Sequence, residues 1–462
     1  MTRVVIVGGG PGGYEAALVA AQLGAQVTVV DRDGLGGSCV LTDCVPSKAL
    51  LATAEVITTA AESGELGVRL AGERPSAAGL TVDLGEVNDR IKGLATAQSL
   101  DIQARLEREG VEVVRGSGHL AGPATVVADT LEGTRTFPAD AVLLSTGARP
   151  RVLPGAEPDG ERILTWEQVY DLDALPERIV VVGSGVTGAE FASAYNGLGS
   201  EVVLVSSRDR VLPGEDQDAA QVLEDVFRRR GMQVLSRSRA VAARREGDGV
   251  VVTLGDGSTV EGTHVLMAVG SIPNTENLGL KGAGVRLTEA GYIDVDRVSR
   301  TSERGVYAAG DCTGVLMLAS VAAMQGRIAM RHALGDAVTP LDLASVSSNV
   351  FTEPEIATIG VTQKQVDAGG IDVRVVKLPL ATNARAKMQG IHDGFVKLFC
   401  RQGTGIVVGG VVVAPKASEL IYPITVAVQH RLTVDDVAAS FTVYPSLTGS
   451  IAEAARQLHT AD

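Results

Sequence analysis

Short runs of β-branched and aliphatic residues that break into glycine recur along this chain, and they set its elements. VVIVGGGPGGYEAALVAAQLGAQVTVVD (4–31) returns 175 residues later, without a gap, as IVVVGSGVTGAEFASAYNGLGSEVVLVS (179–206). Each copy reads as a buried strand, a G-x-G-x-x-G turn, an apolar-periodic helix, a Leu-Gly break and a second strand. That is a βαβ unit. Its glycines let a pyrophosphate approach backbone N–H groups at a helix N-terminus. The candidate contacts are Gly8, Gly10 and Gly13 in the first copy and Gly183, Gly185 and Gly188 in the second.

ADAVLLSTGARP (139–150), THVLMAVGSIPN (263–274) and GVYAAGDCTG (305–314) also run a hydrophobic strand into a glycine turn, and the last carries Asp311 at its strand end. Polar residues there line α/β ligand sites. These segments bracket the second unit, so the first domain is expected to be interrupted and to resume after about residue 273. From about 346 the pattern changes to strands in VFTEPEIATIGV, RVVKLPL, GFVKLFC and IVVGGVVVAP, then helices at 417–430 and 433–440. The expected fold is α/β, with two Rossmann-like domains and an α+β C-terminal domain. The boundaries are 1–148 and 273–345 for the first domain, 149–272 for the second and 346–462 for the third. The Ala/Gly/Pro-rich run 71–79 is expected to be a surface loop.

Composition excludes several classes. A formal charge of −14 argues against nucleic acid or an anionic membrane as partner. No apolar run approaches the roughly 20 residues of a membrane span. MTRVVIVGGGPGG enters a strand before any apolar leader region forms. With only four cysteines, the expectation is a cytoplasmic protein of a reducing compartment.

The two βαβ units differ where a ribose is read. Asp31 ends the second strand of the first unit and suits a free ribose hydroxyl pair. Ser206 holds the aligned position in the second, followed by Ser207 and Arg208. An acid there would repel a 2′-phosphate, whereas hydroxyls and a guanidinium accept one.

GGSCVLTDCVPSK (36–48) places Cys39 and Cys44 five residues apart. On a regular helix such residues lie about 140° apart around the axis, with Cα atoms roughly 8–9 Å apart. A disulfide wants about 4.4–6.8 Å. Pairing therefore requires irregular backbone, and Pro46 fits a helix starting or distorting here. A redox pair and two packing thiols both remain open. A metal centre has no second Cys/His cluster at ligand spacing to complete it.

GGGPGG, GGSCVLTDCVPSK, STGARP, GSGVTGAE, AAGDC, VFTEPEIATIGV and NARAK together resemble the flavoprotein disulfide reductases of the lipoamide dehydrogenase and glutathione reductase type, over essentially the whole chain. The resemblance implies a homodimer of FAD, NAD(P), central and interface domains. FAD would occupy the first Rossmann site, against Gly8, Gly10, Gly13, Asp31, Thr146, Gly147, Asp311 and Ala319. The nicotinamide cofactor, NADPH or NADH, would occupy the second, against Gly183, Gly185, Gly188, Glu190, Ser206, Ser207, Arg208 and Gly270. Lys48 would sit near the flavin and pair with Glu190, while Cys44 would face the flavin and Cys39 the substrate.

One departure changes the implied chemistry. The family's disulfide reductases carry a C-terminal His, held by a Glu, that moves protons to and from substrate thiols. Here FTVYPSLTGSIAEAARQL puts Tyr444 and Gly449 at those positions. A tyrosine with an ordinary pKa near 10 is a poor base at neutral pH. The sequence looks closest to the lipoamide-dehydrogenase-like NAD(P)H:quinone reductases, which lack the same pair. The expected function is electron transfer from NAD(P)H through FAD to a small acceptor, a quinone above all. The alternatives are a disulfide reductase working through Cys39 and Cys44, and a pyridine nucleotide transhydrogenase.

Overall fold

The computed structural model describes residues 1–76 and 79–459; residues 77 and 78 of the expected 71–79 loop lie outside the described residues. The chain divides into two compact units, one of Met1–Ser47, Asn88–Arg151 and Gly270–Asp342, the other of Lys48–Val87, Val152–Val269 and Leu343–Asp462.

The first unit is built on a five-stranded sheet in the order Val306–Ala308, Ala141–Leu144, Arg3–Val7, Gln26–Asp31, Glu112–Arg115. Every neighbouring pair is parallel. Alternation along the central strand sends Val4 and Ile6 into one core and Val5 and Val7 into another. A strand buried on both faces reads as an unbroken apolar run, which is why VVIV carries no polar residue. Helices Pro11–Gln22 and Ala319–Ala333 pack closely through glycines. A Cβ on Gly326 would stand 2.1 Å from the Gly12 carbonyl oxygen.

In the second unit the parallel order is Gln233–Leu235, Glu201–Val205, Arg178–Val182, His264–Met267, Ile163–Thr165. Both units also carry a three-stranded antiparallel sheet that the repeat does not announce, at Ser117–Leu120, Thr125–Thr130 and Gly133–Pro138 and at Ala240–Glu246, Gly249–Leu254 and Thr259–Gly262.

A five-stranded antiparallel sheet completes the second unit, in the order Ser347–Val350, Glu355–Gly360, Val407–Ala414, Phe395–Arg401, Val373–Pro379. VFTEPEIATIGV is thus the end of one strand, a turn and a second strand, because Pro354 has no N–H to give a ladder. The expected C-terminal helices are Ala417–Leu420, Tyr422–Gln429 and Val434–Ala439, followed by Gly449–Leu458. Lys397 is buried in this sheet and bonds both carboxylate oxygens of Asp216, at 2.9 and 2.8 Å. Asp216 also caps helix Gln217–Arg229.

Candidate nucleotide-binding and redox sites

The two glycine turns share one geometry. Gly8 has φ 99°, and a Cβ there would meet the Ser145 carbonyl oxygen at 2.2 Å. Gly183 has φ 112°, and its Cβ would meet the Ala268 oxygen at 2.1 Å. Cβ atoms on Gly13 and Gly188 would meet the carbonyl oxygens of Gly8 and Gly183 at 1.9 and 1.8 Å. Gly8 and Gly183 let the turn press against the end of a neighbouring strand, and Gly13 and Gly188 let it fold onto its own helix. Gly10 and Gly185, the caps of helices Pro11–Gln22 and Val186–Leu198, have nothing within 4 Å of a built Cβ. At each turn the open side is the one a dinucleotide phosphate requires.

In the first unit Asp31 grips its turn with both oxygens. Oδ2 accepts the Gly9 N–H at 2.7 Å, and Oδ1 accepts those of Asp33 and Gly34 at 2.9 and 2.6 Å. Thr146 Oγ1 donates to the Asn274 carbonyl at 2.6 Å, and Asn274 returns its amide to the Thr146 carbonyl at 3.0 Å. Gly147, with φ 68°, accepts the Asn274 N–H at 3.0 Å. Ala319 is the first residue of helix Ala319–Ala333. Asp311 follows strand Val306–Ala308, and burial, aided by the charge of Asp43, pushes its carboxyl up to about 6.

Cys39 lies on the short helix Gly37–Leu41 and Cys44 opens helix Cys44–Glu62. The break falls at Thr42 and Asp43, whose N–H groups both donate to the Ser38 carbonyl, at 2.9 and 2.7 Å. The backbone between the cysteines is thus irregular, and both are half-buried. Tyr14 was not singled out from the sequence. Burial raises its hydroxyl, with Glu15 and Cys39 adding to the effect.

The second unit holds an ion pair that no short stretch encodes. Lys48 Nζ donates to Glu190 Oε2 at 2.8 Å, and Glu190 is only 3% exposed. Glu190 Oε1 accepts the Phe351 N–H at 2.9 Å, and the Lys48 ammonium stands 4.9 Å from the Phe351 ring centroid. Phe351 is the residue that sequence reasoning missed here; its signal was the quoted motif around 350–361. A carboxylate with one oxygen on a backbone N–H and the other on an ammonium is fixed in place, and so is the ammonium.

At the end of strand Glu201–Val205 the structure departs from the expected use of Ser206. That side chain is 0% exposed, with Oγ bonded to Ser184 Oγ at 2.6 Å and accepting the Arg208 N–H at 3.1 Å. Its hydroxyl braces the glycine turn rather than facing a ligand. Ser207 and Arg208 are exposed. Gly270, with φ 94°, falls in the first unit and accepts the Arg151 N–H at 2.9 Å.

Tyr444 is 85% exposed, and Gly449 begins helix Gly449–Leu458. His459 is taken up by Asp435 at 2.6 Å. Among the described residues no cluster of His, Cys, Asp and Glu could hold a metal, and no helix is long and apolar enough to cross a membrane.

A family model described as pyridine nucleotide-disulphide oxidoreductase matches residues 2–326, and that family's dimerisation domain matches 346–455. A Mycobacterium tuberculosis protein named NAD(P)H dehydrogenase (quinone) is 54% identical, over 100% of this chain and 95% of its own length. A dihydrolipoyl dehydrogenase of Geobacillus stearothermophilus is 32% identical over 98% of this chain and 95% of its own. The crystal structure of LpdA from M. tuberculosis superposes with a TM-score of 0.95 at 54% identity, covering all of both chains. RclA of Escherichia coli, an HOCl-induced flavoprotein disulfide reductase, gives 0.87 at 22% identity over 99% of this chain and 100% of its own, a likeness of fold.

Proposed function

The chain belongs to the pyridine nucleotide-disulphide oxidoreductases, and from that premise we propose that it oxidises NAD(P)H and reduces a small acceptor, a quinone above all. The observation that carries this reading is an imbalance in the retained parts. The Lys48–Glu190 pair is intact, while Tyr444 and Gly449 stand where a thiol base and its orienter would be needed. The name of the 54% identical relative supports the same acceptor class.

The proteins of this family work with FAD and NAD(P)H. FAD supplies two-electron chemistry that needs no substrate thiolate. The residues fit it: the open cap at Gly10 would take the pyrophosphate, Asp31 the adenosine ribose and Asp311 the ribityl chain. Lys48 would hold a positive charge for the electron-rich ring, oriented by Glu190 and kept from wandering by Phe351. Gly185 and the start of helix Val186–Leu198 would take the nicotinamide cofactor's pyrophosphate. Ser207 and Arg208 carry no acid to repel a 2′-phosphate, so NADPH serves at least as well as NADH. We place the enzyme in the cytoplasm as a homodimer, with domain limits near 148, 272 and 345.

Steady-state turnover on an acceptor panel tests the proposal. NADPH with menadione should exceed lipoamide or glutathione disulfide by roughly 10²–10⁴, the usual worth of a general base. Comparable rates on a disulfide would instead establish Cys39 and Cys44 as the electron exit.

A further inference from the structure

Two parallel neighbours in the second unit, Glu201–Val205 and Gln233–Leu235, run side by side with Val205 opposite Leu235. Their carboxyl ends emerge at one edge, where a Rossmann sheet meets its ligand. The first runs into Ser206-Ser207-Arg208-Asp209-Arg210 and the second into Ser236-Arg237-Ser238-Arg239.

Three backbone hydrogen bonds lock these turns together. Ser206 N–H donates to Leu235 at 2.9 Å, Ser238 N–H to Ser206 at 2.8 Å, and Arg237 N–H to Arg208 at 2.7 Å. Arg237 adopts the left-handed conformation, φ 56°, which non-glycine residues seldom take. The tie to Arg208 thus persists at a cost in backbone strain.

Both arginines are exposed, and among the described residues no hydrogen bond or ion pair engages either guanidinium. The edge holds two further unmet donors, Ser236 Oγ and Arg210 Nε, each buried without a partner. Together the two turns carry four arginines and one acid, Asp209, in a chain whose formal charge is −14. Cations left unpaired on an acidic protein favour an anion arriving from outside.

We infer that Arg237 is a second anchor, beside Arg208, for the 2′-phosphate of NADPH. The inference rests on the reading of Arg208 given above and deepens it. With the Ser206 hydroxyl turned inward, the sequence-local set is one side chain short, and Arg237 fills that place from 29 residues further along. A phosphate between two guanidinium forks gains bidentate contacts that a lone arginine cannot supply.

The test uses the FAD-loaded, full-length enzyme with Arg208→Ala, Arg237→Ala, the double variant, and Arg237→Gly. Glycine relieves the left-handed strain, so a loss common to both Arg237 variants belongs to the side chain. Turnover is read as kcat/KM for NADPH and NADH, and binding with 2′,5′-ADP against 5′-AMP. Arg237→Ala and Arg237→Gly should each lower kcat/KM for NADPH and affinity for 2′,5′-ADP roughly ten- to hundredfold, leaving NADH and 5′-AMP within about twofold. The double variant should lose less than the product of the singles, because one phosphate is shared. Equal losses for both cofactors would overturn the inference in favour of a structural role. Loss of NADPH preference in Arg208→Ala alone would overturn it while leaving the reading of the strand end standing. No change in any variant would defeat both.

Discussion

Lys48 is an ordinary-looking lysine on helix Cys44–Glu62 until Glu190, from a helix more than a hundred residues away, bonds it at 2.8 Å. Glu190 is buried, so removing the ammonium leaves a charge without its partner. Lys48→Ala should therefore lower NADPH:menadione turnover about 10²-fold with FAD still bound. Cys39→Ser and Cys44→Ser should keep most of it, since quinone reduction needs no thiol. Loss of turnover in either serine variant, with the flavin spectrum intact, would move the exit to the cysteines. Asp311 makes a different prediction. Its carboxyl is pushed up to about 6 by burial and by Asp43. A raised acid favours the folded state only while protonated, so this contribution is full below about pH 4 and gone above about pH 6. In protein stripped of FAD the loss should be about 3 kcal/mol. Asp311→Asn should flatten that part of the pH profile in chemical denaturation, and an unchanged profile would refute the assignment.

Each glycine turn combines two kinds of position, and they predict opposite failures. Gly188 is closed, with a Cβ meeting the Gly183 oxygen at 1.8 Å, so Gly188→Ala must push the turn off its helix. Gly185 is open, with nothing within 4 Å of a Cβ. Gly185→Ala should fold with normal thermal stability, keep its FAD, and weaken NADPH and NADH alike by crowding the pyrophosphate. Gly188→Ala should lose thermal stability as well. Thermal melts beside cofactor titrations separate the two; identical behaviour would contradict the geometry. The interruption at Thr42 and Asp43 is an element-scale device too, since one unbroken helix would carry the two cysteines away from each other.

At the scale of the molecule, the match of residues 346–455 to a dimerisation domain meets an observation about surface. Phe441, Val443 and Tyr444 are all strongly exposed within four residues of one another. Apolar side chains so grouped usually await a partner surface. Size-exclusion chromatography with light scattering should give a dimer, yellow and with one FAD per chain. Phe441→Asp with Val443→Asp should shift it toward monomer. A monomeric parent protein would end this reading.

Much of this could be read from the chain itself. The two βαβ units, their glycines and the buried strands between them were legible because backbone sterics and apolar periodicity act over a few residues. The missing thiol base was legible only through the family resemblance, which sets Tyr444 and Gly449 at the positions of the His and Glu. Tertiary structure alone decided the rest. It turned Ser206 toward Ser184, set Phe351 against Lys48, and bonded Arg237 to Arg208. In each case the partner comes from another element, and no local pattern encodes which distant side chain will share a strand end. Sheet order and packing made those choices, because a buried polar group takes whatever partner the fold brings within reach.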